Sequence, residues 1–348
     1  MKTQLNSFSP DEQLAERHCS PTAVTVTVLI CTCNRPQDLP IAVGSVLRRS
    51  QTPLHLLVVD QSDNEASEES IAEWRHDSRL TYLHLAVTGK CHAINTALKS
   101  IKTEFVAIID DDCDVAEDWL DAHLEVFRKY PQVALTYGNV IAAPHDSTEG
   151  FIPTYTLEKD IHCPTIWQKW RANGIGANTA FRREAALAIG GFDEEIGPGA
   201  RFRACMDGDF TVRMLLAGYE VYETAQSRVV HLGFRDWKQG SQLIGNAYYG
   251  IGASYIKPLC CGRMSVLPTF FYELICKTLL PSVIATITFQ KPTHWRRVLS
   301  FAQGTFDGIR TPVDRKTLRY GRPVRKLPGN MTLLLWMFCC SNVSLLSL

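Results

Sequence analysis

The segment FVAIIDDDCD sets Asp110, Asp111 and Asp112, with Asp114 close behind, at the end of an apolar run. Carboxylates this close raise one another's pKa unless a cation compensates them, and a divalent ion does so. Mg2+ and Mn2+ take oxygen ligands and commonly join one or two carboxylates to a substrate's phosphates. Asp110 and Asp112, in D-x-D spacing, are therefore candidate ligands, because residues i and i+2 of an extended segment point the same way. The competing reading is a solvated acidic turn in which Asp114 caps a helix.

Polar side chains also follow two earlier apolar runs. VTVTVLIC (24–31) leads into Thr32, Asn34 and Arg35, and HLLVV (55–59) leads into Asp60 and Ser62. These runs and 80–85 read as strands, and 105–109 as a fourth. Helix-like stretches over 38–49, 67–75 and 92–100 separate them. The alternation predicts an α/β fold, a mostly parallel sheet flanked by helices, with a ligand crevice at the strand C-termini. No G-x-G-x-x-G follows the first strand and no GxxxxGK[ST] occurs, which argues against a dinucleotide oxidoreductase and a P-loop NTPase.

Read together, VLICTCNRPQDL, VVDQSDN, TGKCHAINTAL and IIDDDCD resemble the ordered motifs of the family 2 inverting glycosyltransferases of the GT-A fold, over Val24 to about Gly233. The resemblance implies that Thr32, Asn34 and Arg35 line a nucleotide, that Asp60 contacts its base, and that Lys90 and Asn95 belong to the segment over it. It also implies that Asp110 and Asp111 lie along the nucleotide-sugar and that Asp112, with Asp110, holds Mn2+ or Mg2+. CMDGDFTVRMLLAGYEVY is similar to the family's E-D-x-D-L helix, with Asp207 in the catalytic position and Met206 where Glu is common. Asp209 and Arg213, spaced i, i+4, read as a supporting ion pair. His231, in SRVVHLGF, resembles a further metal ligand of some members, although a lone histidine at a strand end is more often only hydrogen-bonded. The run Gly190, Gly191, Phe192, Asp193 resembles the acceptor-side stretch. The Q-x-x-R-W signature of processive members does not occur, so a single transfer per encounter is expected.

The neutral whole-chain charge conceals a split. From Arg235 onward there are 15 Lys/Arg against 4 Asp/Glu, a net +11, so residues 1–234 carry −11. The expected organisation is a flexible segment over 1–22, a GT-A catalytic domain over 23–234, and a mainly helical, basic and apolar region over 235–348. Within that last region 278–290 is uncharged but too short to span a bilayer, which needs about 20 residues. Residues 310–326 hold seven basic residues and one acidic one, and 327–348 carry no charge. A polybasic run before an uncharged tail suits a cytosolic membrane face, and a tail folded back on the protein is the alternative. The twelve cysteines show neither zinc spacing nor a disulfide rhythm, and the polar start lacks an apolar leader segment, so a cytoplasmic, peripheral location is expected.

The function this predicts is inverting transfer of a sugar from a nucleoside-diphosphate sugar, UDP-linked in preference, to a glycan, glycolipid or other hydroxyl acceptor. A role in cell-surface polysaccharide or glycolipid synthesis is expected by analogy, and nucleic acid is not an expected partner. The alternatives are a sugar-phosphate nucleotidyltransferase, whose glycine-rich first loop is replaced here by CTCNRP, and a non-catalytic nucleotide-binding or membrane scaffold.

Overall fold

The computed structural model describes residues 26–289 and 295–321. The expected N-terminal segment 1–22 and the uncharged tail 327–348 lie outside these.

The apolar runs form the strands. β1 (Val26–Thr32), β2 (Leu54–Asp60), β3 (Leu80–His84) and β4 (Phe105–Asp110) pair in parallel in the order β3-β2-β1-β4. Register aligns their C-terminal ends: Thr32 lies opposite Asp60, and Cys31 opposite Asp110. Three loops therefore open at one edge of the sheet, which is the arrangement the site needs. Because strand side chains alternate, Val28 and Ile30 enter the core on one face of the sheet and Leu29 enters the core on the other. The first face is covered by α1 (Leu39–Arg49) and, later in the chain, by α3 (Trp119–Lys129), and the second by α2 (Lys90–Ser100). Pro40 in the first turn and Arg48 and Arg49 in the last suit the ends of α1.

Beyond β4 the sheet becomes mixed. The short β5 (Cys113–Val115) follows the acidic turn, then come β6 (Val133–Ala142), β7 (Gly150–Phe151), β8 (Ile161–Cys163) and β9 (Asn178–Arg182). β9 runs antiparallel between β4 and β6. After α4 (Met206–Leu216), β10 (Glu220–His231) pairs parallel with β6 and antiparallel with β5 and β8. β11 (Arg235–Asp236) pairs with β7.

The C-terminal region is helical. α5 (Trp237–Cys260) starts with a capping box between Asp236 and Gln239. It packs along α6 (Trp295–Arg310) at a distance only glycine permits, since a Cβ at Gly304 would lie 1.9 Å from the Tyr249 carbonyl oxygen. Tyr249 and Tyr255 are core residues. One sequence expectation is corrected: helical turns run without a break from Met264 to Ile287, 24 residues, so the apolar segment is long enough to cross a bilayer. The sequence reading stopped it short at Lys277, but a π-helical stretch (Tyr272–Leu279) carries the chain through this lysine into a final helix whose first turn holds Pro281.

Candidate active site

The site is assembled at the shared C-terminal edge of β1, β2 and β4. Asn34 adopts a left-handed backbone (φ 56°), which asparagine tolerates better than most residues. This turn lets its backbone N–H donate to Ser62 Oγ at 2.7 Å, while its side chain exchanges hydrogen bonds with Asp63. The loops after β1 and β2 are thereby stitched together. Asp60 is fully buried and accepts from the Ser62 backbone at 2.9 Å and from the Tyr82 hydroxyl, so it fixes the β2 loop.

The carboxylates after β4 are divided between two partners. Asp110 pairs with the Lys90 ammonium at the start of α2. Burial opposes the charge on Lys90, but Asp110 and then Asp207 outweigh it and hold the ammonium above its usual range. Asp111 and Asp112 share the Arg35 guanidinium, whose Nη1 donates to Asp111 Oδ1 at 2.6 Å and Nη2 to Asp112 Oδ2 at 2.8 Å. The Thr32 hydroxyl donates to the other Asp111 oxygen at 2.7 Å. Burial nevertheless pushes the Asp111 carboxyl up to about 6. For Asp112 burial acts in the same direction, but His231 and Arg35 together hold it well below the usual carboxylate range.

His231 reaches Asp112 because β10 and β5 are antiparallel with His231 opposite Cys113. Its Nδ1 lies 2.9 Å from the Pro153 carbonyl, and its Nε2 stands 3.1 Å from Asp112 Oδ1. That buried oxygen has no well-formed hydrogen bond, and the ligand-capable atoms of Asp112, Cys113 and His231 lie within 4.8 Å of one another. Burial raises the Cys113 thiol well above its usual range, and Mg2+ and Mn2+ favour the carboxylate oxygen and the imidazole nitrogen over sulfur. A Cβ at Gly233 would sit 2.3 Å from Asp112 Oδ2 and 2.8 Å from His231 Nε2, so glycine keeps this corner open. An orphaned carboxylate oxygen, an oriented imidazole and open space beside them fit a divalent cation. Asp110 does not join this group. The strand ends at Asp110 and the chain turns, so the same-face relation assumed for D-x-D in an extended segment is lost.

Asp207, in the first turn of α4 after a left-handed Cys205 (φ 74°), feels the charges of both Lys90 and Asp110. The Gly176 backbone, just before β9, bonds its carboxylate, and a Cβ at Gly176 would approach Asp207 Oδ1 to 2.4 Å. Burial pushes the Asp207 carboxyl up to about 6, with Lys90 opposing and Asp110 adding to the rise.

Asn95 has a task other than the expected nucleotide contact. Its amide donates to the Phe192 carbonyl at 2.9 Å and to Glu194 at 2.7 Å, and it accepts from Phe192 N at 2.8 Å, pinning the Gly190–Glu194 turn to α2. Asp209 and Arg213 do pair, at 2.8 Å, but in full burial rather than on a surface. One residue missed by sequence completes that cluster: Lys257 of α5, fully buried, sits 2.6 Å from Asp209 and 2.5 Å from Asp193. The motif-like GGFDE contained the Asp193 signal, whereas nothing near Lys257 marked it as buried.

Residues 27–190 match the family model described as Glycosyl transferase family 2, and this segment is a family 2 glycosyltransferase domain of the GT-A fold. The match ends before Asp207 and His231. Poly-beta-1,6-N-acetyl-D-glucosamine synthase of Staphylococcus epidermidis is 23% identical over 175 residues, covering 49% of this chain and 42% of that protein. The chain thus spans less than half of that relative. Glucosyl-dolichyl phosphate glucuronosyltransferase of Haloferax volcanii is 24% identical over 232 residues, 61% of this chain and 72% of the relative. Among solved structures, mannosyltransferase PcManGT from Pyrobaculum calidifontis, in complex with GDP-Man and Mn2+, superposes with a TM-score of 0.55 at 16% identity, covering 86% of this chain and 92% of that one. S. aureus TarS 1-349 in complex with UDP-GlcNAc gives 0.56 at 14% identity, covering 81% and 82%. At these identities the structural likeness bears on the fold alone.

Proposed function

We propose that the chain transfers a sugar from a nucleoside-diphosphate sugar, UDP-linked in preference, to an acceptor hydroxyl with inversion, one transfer per encounter, using a divalent cation. The observation that carries this reading is the division of the carboxylates after β4 between two groups: Asp112 with Arg35 and His231, and Asp110 with Lys90, both of which also act electrostatically on Asp207. In this reading Thr32, Asn34, Arg35 and Asp60 shape the nucleotide pocket, and Asp112 and His231 hold Mn2+ or Mg2+. The bound cation supplies Lewis-acid stabilisation of the departing diphosphate. Lys90 adds a fixed positive charge beside the same leaving group. Asp207 takes the proton from the acceptor hydroxyl as it attacks the anomeric carbon, and a carboxyl near 6 is matched to that work at neutral pH. One displacement without an enzyme-bound intermediate inverts the anomeric carbon.

The acceptor belongs to a cell-surface polysaccharide or glycolipid, and the enzyme works peripherally at the cytosolic face of a membrane, attached through its C-terminal region. The polymer-making and dolichyl phosphate-linked activities named for the two relatives support this class of acceptor. The deciding experiment compares wild type with Asp207→Asn for UDP binding in Mn2+ and for sugar transfer. Transfer should collapse while binding persists. Equal transfer by the variant removes Asp207 as the base, and absence of nucleotide binding by the wild type favours a scaffold.

A further inference from the structure

We infer that the Met264–Ile287 helix and α6 together form a docking face for an anionic lipid bilayer, lying flat in its interface. This deepens the membrane reading above and does not depend on the donor or on the catalytic base.

Among the described residues, eleven of the twenty exposed large apolar side chains fall between Met264 and Phe306. Phe271, Ile275, Ile284 and Ile287 present one side of the long helix, and Ile287 is 69% exposed. Leu299 (70%) and Phe306 extend the surface onto α6. Glu273, Thr278, Ser282 and Ala285 are buried against the protein, so the helix is held along its length rather than free to cross a bilayer. Patches of exposed apolar surface on this scale mark an interaction site.

Charge selects the partner. From Met264 to Arg310 the sequence contains only two carboxylates, Glu273 and Asp307. Glu273 is buried, and Asp307 accepts a hydrogen bond from Tyr249 at 2.7 Å. The cations are spread along the face: Lys277 lies over the Tyr272 ring, Arg297 over Tyr248, and Arg310 over Phe306 at 3.9 Å. Trp170, exposed and 5.8 Å from Tyr272, adds an aromatic rim of the kind enriched at lipid headgroups. A symmetric contact with a second copy would oppose cation to cation. An anionic leaflet instead satisfies both the apolar stripe and its basic border, and each signal is too weak to anchor alone.

The test floats the full-length chain with phosphatidylcholine vesicles, with and without phosphatidylglycerol, at low and high salt. Ile284→Glu with Ile287→Glu is compared with Ile284→Leu with Ile287→Leu, and nucleotide binding is measured on each protein. The expected result is salt-sensitive flotation with the anionic vesicles only, lost at least about tenfold in the Glu pair and kept in the Leu pair. Nucleotide binding should be the same in all three, so failure of the docking face is distinguishable from failure of the transferase reading. The proposal is overturned if wild type does not float, if it floats equally on neutral vesicles, or if the Glu pair floats as well as wild type, which would assign attachment to the uncharged tail. A wild-type dimer that the Glu pair dissociates, without flotation, would make the face a contact between copies.

Discussion

Arg35 and His231 face opposite oxygens of the same carboxylate: Arg35 Nη2 donates to Asp112 Oδ2 at 2.8 Å, and His231 Nε2 stands 3.1 Å from Oδ1 without a well-formed hydrogen bond. Two cation-capable groups on one buried acid keep it ionised without a metal, and of its two oxygens only Oδ1 lacks a hydrogen bond from a donor side chain. Asp112→Asn is expected to abolish metal-dependent binding of nucleoside diphosphate. His231→Ala, which removes an oriented donor but leaves the carboxylate, should weaken Mn2+ by roughly tenfold to a hundredfold. Calorimetric titration of Mn2+ with and without UDP measures both. Equal Mn2+ affinity in Asp112→Asn would place the cation elsewhere.

Gly233 gives an independent test of the same corner, because its substitution changes no ligand. A methyl at this position would meet Asp112 Oδ2 at 2.3 Å and His231 Nε2 at 2.8 Å and must displace one of them, so Gly233→Ala should reduce Mn2+-dependent nucleotide binding by about tenfold or more, at a stability cost of about 1–3 kcal/mol. Retained Mn2+ affinity in a folded Gly233→Ala protein would show that the space beside His231 is not the cation's.

The base predicts a pH profile. With the Asp207 carboxyl near 6, kcat/KM should fall about tenfold per pH unit below that value and level off above it. Lys90 opposes the rise at Asp207, so Lys90→Met should move the acidic limb to higher pH in addition to weakening the donor. The folded-state value exceeds the unfolded 3.8, so the folded protein holds an extra proton between these values. This group's contribution to stability is thus present at low pH and declines as pH rises through about 6. Asp207→Asn should accordingly lose at least about a hundredfold in kcat without a lower melting temperature at pH 7. A marked loss of stability would indicate that Asp207 serves the fold.

Much of this site was legible because its parts sit where apolar strands end. The runs before Thr32, Asp60 and Asp110 are short and continuously apolar, and such runs bounded by polar residues mark buried parallel strands. The meeting of His231 with Asp112 was not legible locally, because it depends on antiparallel register between β10 and β5, whose paired residues are more than a hundred positions apart. The extended D-x-D alignment is absent for a related reason: alternation holds only while the chain is extended, and the strand stops at Asp110. Asn95 carried a motif match, yet its amide is consumed in holding the Phe192 turn, so resemblance located the residue and packing decided its task. The 24-residue helix escaped notice because Lys277 interrupts the apolar pattern, and a π-helical stretch absorbs that interruption.

Lys257 links the C-terminal helices to the catalytic helix, and its replacement is the sharpest stability prediction. Its ammonium lies between Asp193, which also accepts from Tyr320 N at 2.8 Å, and Asp209, which is bonded to Arg213. Lys257→Met keeps the volume but, among the described residues, leaves Asp193 with no side-chain cation within ion-pair distance and Asp209 with Arg213 alone, so destabilisation of about 3–5 kcal/mol is expected. Because Asp193 precedes the Glu194 that bonds Asn95, the damage should spread to the turn over α2. The charge-free triple variant Asp193→Asn, Asp209→Asn, Lys257→Met should recover part of the loss, since it removes the unpaired charges rather than one partner of them. Chemical denaturation of the three proteins checks this. If Lys257→Met unfolds within about 1 kcal/mol of wild type, the ammonium is not what joins α5 to α4.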